Sequence, residues 1–594
     1  MRYLIVCCDG TWNSPEQDSV TNVRRLFNAL DKTDPSKQLS YYITGVGTRG
    51  GVVSRLMAGG FGVGLGRGPG RSLAANVLEG YHWLITNYQP DDYIALFGFS
   101  RGAYTARSLA GLIAMCGLIR RGPDEQDTWC RIKRIYHRYQ LGYQDQRGRD
   151  GQDGDQHWRD GLDFWFDPRN AKDLPVKFIG VWDTVGSLGI PDPWRWVAPG
   201  FSSRRYEFND VRLNPYVSFA YQALAVDESR GTFSPTLWEE MSSPPDILQP
   251  QKVKQVWFPG SHLDVGGGHR EIGLSDGALQ WMIEQAEHDI KLAFHPSTTR
   301  QIHPDPHDLL HDDDRSALGW LNPVLEPAME PFLSLRPRAI PLLDHRDAPT
   351  PPANLHHVHD SIYVHESAYE RQNPNDPPIT SGPYRPTRTA TVGHPQQAEV
   401  FAREPWNDTG IYLEPGDYTF EAEGEWLDMD IPSGPNGSTG LFDWREPVVA
   451  VERAWRSWGS LIGRCEMLYR RLSGDEQASF LGAPREPDLP WMSLVGYVAN
   501  NAVTVNGKPN TGHQRINIGT GGTSVHQVRH GGYLYAFAND AWGFYGNNNG
   551  TVRLTVTRKE PTPPAAQPPK PKPRRRSQQG PQKKTTSRAG VKRS

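Results

Sequence analysis

The stretch Asp92-Tyr93-Ile94-Ala95-Leu96-Phe97-Gly98-Phe99-Ser100-Arg101-Gly102 decides the fold. Its apolar run reads as a buried strand, and the following Ala103-Tyr104-Thr105-Ala106-Arg107-Ser108-Leu109-Ala110 reads as an amphipathic helix. Between them lies G-x-S-x-G, the pattern of a nucleophile elbow. Such a turn is sharp and strained, so glycines at Gly98 and Gly102 remove side chains that would collide across it. The helix start then places the Arg101 amide where negative charge develops on an oxyanion.

A serine hydroxyl is a weak nucleophile at neutral pH, so it needs a base and a group that orients the base. In an α/β-hydrolase these follow in the order Ser, acid, His, each after a strand. Val176-Lys177-Phe178-Ile179-Gly180-Val181-Trp182 is such a strand, with Asp183 directly after it. Lys252 to Phe258 is another, followed by Pro259-Gly260-Ser261-His262-Leu263-Asp264 and a run of glycines. Asp183 and His262 are therefore the expected partners of Ser100. Asp264 competes as the orienting acid, and His359, in His359-Asp360-Ser361, is a second candidate base.

The first strand, Tyr3 to Cys8, ends in Asp9-Gly10-Thr11-Trp12-Asn13. A haloacid-dehalogenase phosphatase would need an aspartate where Cys7 stands, so that reading fails at its first residue. An oxyanion loop is the better reading, with the Gly10 or Thr11 amide as second donor. Gly59 to Gly68 is glycine-rich but lacks the preceding strand and following Lys-Ser or Lys-Thr of a phosphate-binding loop. A loop over the mouth of the site suits it better.

Alternating β-type runs and longer amphipathic stretches give an α/β architecture with a mostly parallel sheet over residues 1–295. Residues 296–395, rich in Pro, His and Asp, form a loop-rich extension of that domain. Over 398–558 short alternating segments sit between Gly, Pro and Asn turns, as in a β-sandwich, with a helical insertion at about 448–480. Residues 560–594 are Pro-rich, then basic, and are expected to be disordered.

The 594 residues carry 37% hydrophobic side chains, enough for more than one core, and a net charge of −3. That balance gives no global attraction to nucleic acid, and no specific nucleic-acid partner is expected. Five scattered cysteines argue against a disulfide scaffold or a Cys-x-x-Cys zinc site, and for folding in a reducing cytoplasm. The apolar start is too short for a signal peptide, and no run of about 18 apolar residues suggests a transmembrane segment.

Ordered motifs resemble a known family, the type VI secretion lipase effectors, family 1, long known only as a domain of unknown function. They are Cys8-Asp9-Gly10-Thr11-Trp12-Asn13, Gly45-Val46-Gly47-Thr48, Gly98-Phe99-Ser100-Arg101-Gly102-Ala103, Val181-Trp182-Asp183-Thr184-Val185, Leu224-Ala225-Val226-Asp227-Glu228-Ser229-Arg230 and Pro259 to Gly268. The resemblance covers roughly residues 1–295, with His359-Asp360-Ser361 and Tyr384-Arg385-Pro386 as further pieces that extend it. It implies Ser100, Asp183 and His262 as a triad that needs no cofactor, and ester hydrolysis in phospholipid at a membrane surface. It also implies delivery without a signal peptide into a target-cell periplasm, a spike protein as carrier and an immunity protein in the producer.

Asn539-Asp540-Ala541-Trp542-Gly543-Phe544-Tyr545-Gly546-Asn547-Asn548-Asn549-Gly550 resembles the calcium loop of the galactose-binding bacterial lectin fold. This resemblance implies Ca2+ held by Asp540, Asn547 and Asn548, and a glycan as a further partner. Two other functions fit the same residues. One is an intracellular esterase on small or acyl-sugar substrates; the other is an envelope- or glycan-binding protein with an inactive hydrolase domain.

Overall fold

A computed structural model describes residues 1–10, 20–45, 70–145, 157–169, 175–185, most of 213–238, 251–311, 337–343, 355–372 apart from 360, most of 384–437 and most of 484–560. Eight strands form one sheet: β1 (Tyr3–Cys8), β2 (Gln38–Ile43), β3 (Tyr93–Phe99), β4 (Val176–Trp182), β5 (Phe219–Ala225), β6 (Lys252–Phe258), β7 (Leu355–His359) and β8 (Ile362–His365). Their spatial order is β2-β1-β3-β4-β5-β6-β8-β7. Every pairing is parallel except the β7–β8 hairpin. The outward expectation of a mostly parallel α/β sheet therefore holds.

Alternation along the strands divides the core into two layers. Leu4, Val6 and Cys8 face helices α2 (Gly70–Asn87), α3 (Arg101–Cys116) and α4 (Glu125–Asp145) through Val77, Leu84, Leu109 and Ile135. Ile5, Cys7, Phe97 and Phe99 face the other way, onto α1 (Asn22–Ala29) and α5 (Gly273–Ile290) through Leu26, Leu279 and Met282. Strands covered on both sides need apolar residues at nearly every position, which is why Tyr93–Phe99 reads as a continuous apolar run.

The loop-rich region contributes more order than its composition suggests. Residues 355–365 supply β7 and β8, and β8 pairs in parallel with β6. His356, His357, His359 and His365 interrupt the apolar pattern of these strands, since His counts as polar in a hydropathy reading.

Beyond it lies a β-sandwich. One sheet runs β9 (Arg388–Thr389), β11 (Asn407–Leu413), β17 (Gly532–Ala538), β14 (Leu494–Asn500), β15 (Gln514–Asn517). The other runs β10 (Gln396–Phe401), β18 (Asn548–Arg558), β12 (Gly416–Asp428), β13 (Ile431–Ser433), with β16 (His526–Val528) also on β12. Val400, Phe420, Trp426, Leu494, Leu534 and Leu554 fill the space between. The α/β region and the sandwich share an apolar cluster in which Val226 and Trp257 meet Ile340, Leu343, Tyr412 and Tyr533. The helical insertion at 448–480 lies outside the described residues, as does the basic tail apart from Glu560, and the tail separates as its own unit from Glu560 onward.

Candidate active site

Ser100 sits between β3 and α3 with φ of +56°, a left-handed backbone that a side-chain-bearing residue rarely adopts. Glycines let the chain close around it. A Cβ at Gly102 would lie 2.1 Å from the Cys8 carbonyl oxygen and 2.6 Å from that of Asp9; one at Gly98 would lie 2.5 Å from the Gly102 carbonyl oxygen. The turn is held in the sheet by the Ser100 amide donating to the Trp182 carbonyl at 3.0 Å. Arg101 supplies the first amide of α3, and burial lowers its guanidinium to about 10.

Asp183 and His262 come together at the carboxyl edge. His262 Nδ1 donates to Asp183 Oδ2 at 2.5 Å, and both side chains are buried. Because an ionised carboxylate only accepts, the ring proton sits on Nδ1 and Nε2 is left as an acceptor. The imidazole is wedged between two aromatic rings: Phe99, beside Ser100, lies 4.6 Å from it and Phe233 meets it edge-on at 4.9 Å. Asp183 also has positive φ, +38°.

Asp183 has a partner that no sequence pattern signalled. Arg338 donates from both terminal nitrogens, at 2.6 Å to Oδ1 and 2.8 Å to Oδ2, and also reaches the carbonyls of Ala225 at 2.8 Å and Phe233 at 2.6 Å. The Ala225 amide adds a bond to Asp183 Oδ1 at 3.1 Å. Burial by itself would raise this carboxyl; the Arg338 charge and the hydrogen bonds from His262 and Arg338 overcome it and hold Asp183 well below the usual carboxylate range.

The segment Asp227-Glu228-Ser229-Arg230 braces the His262 loop. Asp227 Oδ2 accepts the Gly260 amide at 2.7 Å and the Tyr384 hydroxyl. Glu228 Oε2 accepts the His262 amide at 3.3 Å and is paired with Arg230 at 2.6 Å, both buried. Arg230 in turn lies over the Phe233 ring at 3.8 Å. Burial pushes Asp227 up to about 6, against the opposing Tyr384 and Gly260 hydrogen bonds.

The alternative acid is engaged elsewhere. Asp264 accepts from Ser261 and from His311, whose Nδ1 stands 2.6 Å away, rather than from His262. The bond to Asp264 raises His311 above the ordinary histidine value, reinforced by Glu271. Asp264, His269 and His311 bring donor atoms within 4.8 Å of one another. Yet the two imidazoles stack at 3.7 Å with planes 12° apart. In-plane lone pairs of nearly parallel rings cannot converge on one ion, so the cluster is a brace for the loop.

His359 is paired through its backbone with Ile362, level with Gln255 halfway along β6, whereas Asp183 and His262 follow the carboxyl ends of their strands. The Gly10 amide, expected as an oxyanion donor, already donates to Asp9 Oδ1 at 2.7 Å. That carboxylate also accepts from Thr21 at 2.8 Å and from Tyr42, so Asp9 fixes the loop. Thr11 and the glycine-rich stretch Gly59 to Gly68 lie outside the described residues.

In the sandwich, Asp540 accepts the Ala541 amide at 2.7 Å and the Asn548 carboxamide at 2.9 Å. Asn547 donates to Asp428 at 3.1 Å. The carboxamide oxygens of Asn547 and Asn548 are buried without a hydrogen-bond partner among the described residues. Unpartnered carboxamide oxygens are donors of the hard type that a calcium ion takes.

A strained serine at a strand-to-helix turn, on the carboxyl edge of a parallel sheet that also carries a buried Asp–His pair, defines a domain of the α/β-hydrolase class. Residues 2–285 match the family model of the type VI secretion (T6SS) phospholipase effector Tle1-like catalytic domain. An uncharacterized protein of Saccharomyces cerevisiae, YEL023C, is 29% identical over 256 residues, which are 42% of this chain and 34% of the yeast protein. The chain thus spans about a third of that relative's length.

Solved structures overlap in part. An uncharacterized protein from Pseudomonas aeruginosa is 18% identical, covering 52% of this chain and 49% of the other, with a TM-score of 0.29. A Tle1 effector bound to the VgrG spike of a type 6 secretion system is 19% identical, covering 46% and 52%, with a TM-score of 0.25. The EclA N-terminal domain, a PllA-like lectin, is 14% identical, covering 27% and 95%, with a TM-score of 0.15. Among the described residues no helix is long and apolar enough to cross a membrane.

Proposed function

We propose that the α/β domain is a serine hydrolase that cleaves ester bonds of phospholipids, and that the chain acts as a type VI secreted antibacterial effector. Ser100 is the nucleophile, His262 the base and Asp183 the group that orients it. His262 Nε2 takes the hydroxyl proton as Ser100 Oγ attacks the ester carbonyl. The oxyanion forms beside the Arg101 amide at the start of α3. The imidazolium then protonates the departing alcohol; water, deprotonated by the same ring, releases the fatty acid and restores Ser100. The observation that carries this reading is the buried Asp183–His262 bond of 2.5 Å, beside an elbow serine with positive φ.

The match of residues 2–285 to a type VI phospholipase-effector model supports phospholipid as substrate and type VI secretion as the route. An immunity protein in the producing cell would accompany such an activity. The test is release of fatty acid from phospholipid vesicles by the purified chain and its Ser100→Ala variant. Release lost in the variant is the expected result; equal release by both removes Ser100 from the mechanism. Faster turnover of short soluble esters than of vesicles would favour the small-ester alternative.

The sandwich carries a second proposal, a Ca2+ site made by Asp540, Asn547 and Asn548. It rests on the two unpartnered carboxamide oxygens. A bound ion there would satisfy both and fix the turn between β17 and β18.

A further inference from the structure

We infer that Arg338 is a positioning residue of the hydrolase site, and that the C-terminal sandwich delivers it there. This rests on the role proposed for Asp183. Pro337 to Leu343 form neither helix nor strand, yet the segment is pinned at both ends by the sandwich. His513 Nε2 donates to the Pro337 carbonyl at 2.7 Å, and the Leu343 amide donates to the Tyr533 hydroxyl at 2.8 Å. Between the pins, Ile340 and Leu343 are buried in the apolar cluster shared with Tyr412 and Tyr533 of the sandwich. The strap so held drives one buried guanidinium onto Asp183.

The guanidinium does two things there. Its planar fork matches both carboxylate oxygens, which leaves Asp183 one orientation in which Oδ2 still faces His262. Its charge also offsets the buried carboxylate. Without it, an uncompensated anion would face His262 and favour a proton on the imidazole, whereas a base has to enter the reaction without one. Among the described residues, the charged side chains hydrogen-bonded to the pair are Arg338, on Asp183, and Glu228, on the His262 amide and itself paired with Arg230; Asp227 and Asp264 bind the backbone of the same loop at Gly260 and Ser261. Arg338 is therefore the cation bound directly to the orienting acid.

The experiment compares Arg338→Met, Arg338→Lys, Ser100→Ala and the double variant His513→Ala/Tyr533→Phe, each in the full chain. Hydrolysis of a soluble ester is followed across pH, and folding is checked by thermal melting. Arg338→Met is expected to lose about 10²-fold in kcat with KM little changed, the scale of a misplaced catalytic group. The acid limb of its kcat/KM profile should move about one pH unit upward. Arg338→Lys should return the limb toward its wild-type position while kcat stays reduced, because the charge is restored and the fork is not. The double variant should shift both quantities in the same direction by less.

A folded Arg338→Met with wild-type rate and profile overturns the positioning role. A double variant indistinguishable from wild type overturns delivery by the sandwich. Ser100→Ala stands apart as control: full activity there refutes the serine mechanism itself, whatever the strap variants do.

Discussion

Asp183 Oδ2 stands 2.5 Å from His262 Nδ1, although 79 residues separate the two along the chain. The sheet makes the meeting possible, since Asp183 follows β4, His262 lies just beyond β6, and only β5 runs between those strands. The β5 end takes part as well, because Ala225 donates its amide to Asp183 and the residues after it brace the His262 loop.

Replacing Asp183 by Asn should remove the acceptor that selects the Nδ1–H tautomer. A fall of about 10⁴-fold in kcat is expected, the scale seen when a serine hydrolase loses its orienting acid. The variant would also leave the Arg338 charge buried without a carboxylate, costing up to about 3–5 kcal/mol of stability. Steady-state kinetics and a urea midpoint measure the two effects; a variant within tenfold of wild-type kcat would leave Asp183 without the role given it.

Asp227 links stability to pH. Its carboxyl is raised by burial to about 6 in the folded chain, from about 4 when unfolded. A carboxyl raised on folding favours the folded state while protonated. That contribution is complete below the unfolded value and is lost as pH rises through about 6. Asp227→Asn, neutral at every pH, lacks it. Melting temperatures should therefore fall for the wild type relative to the variant between pH ~4 and ~7, and parallel curves would show that Asp227 does not titrate there.

Gly102→Ala should disrupt the elbow. The added methyl would meet the backbone carbonyls of Cys8 and Asp9 at 2.1 and 2.6 Å, and backbone cannot swing aside as a side chain can. A stability loss of about 1–3 kcal/mol, together with most of the activity, is expected. Gly393→Ala is an instructive control, since an added Cβ there has nothing within 4 Å and meets only the backbone cost of a φ of +82°. Equal activity in the two variants would deny the close approach of β1 to the elbow.

Calcium should raise the melting temperature of the chain. At a hundredfold excess over the dissociation constant the added stability is about 2.7 kcal/mol. Asp540→Asn should abolish most of the shift while Ser100 keeps its activity on soluble ester. A chelator that leaves the wild-type melting curve unchanged would mean that Asn547 and Asn548 are satisfied some other way.

Much of this site is legible in the sequence because the chemistry sits at strand ends. The run before Ser100 and the helix after it identify the elbow, and Asp183 and His262 each follow an apolar strand. Arg338 has no such signature. It lies 155 residues from its carboxylate, in a segment without periodicity, and its placement depends on packing against the sandwich. Asp227, Glu228 and Arg230 stand out as a motif, but what they do is hidden, since the carboxylates of Asp227 and Glu228 hold backbone amides of a distant loop and Arg230 pairs with Glu228. The strands at 355–365 are hard to read because histidines break their apolar pattern, although His365 packs its ring against Phe258 at 4.5 Å.

Covalent labelling tests the central claim most directly. A fluorophosphonate probe, which reacts with an activated serine, should place its adduct on the peptide containing Ser100, with labelling suppressed in His262→Ala. Intact wild-type chain that takes up no probe, or takes it up equally well without His262, would contradict an activated serine at this elbow.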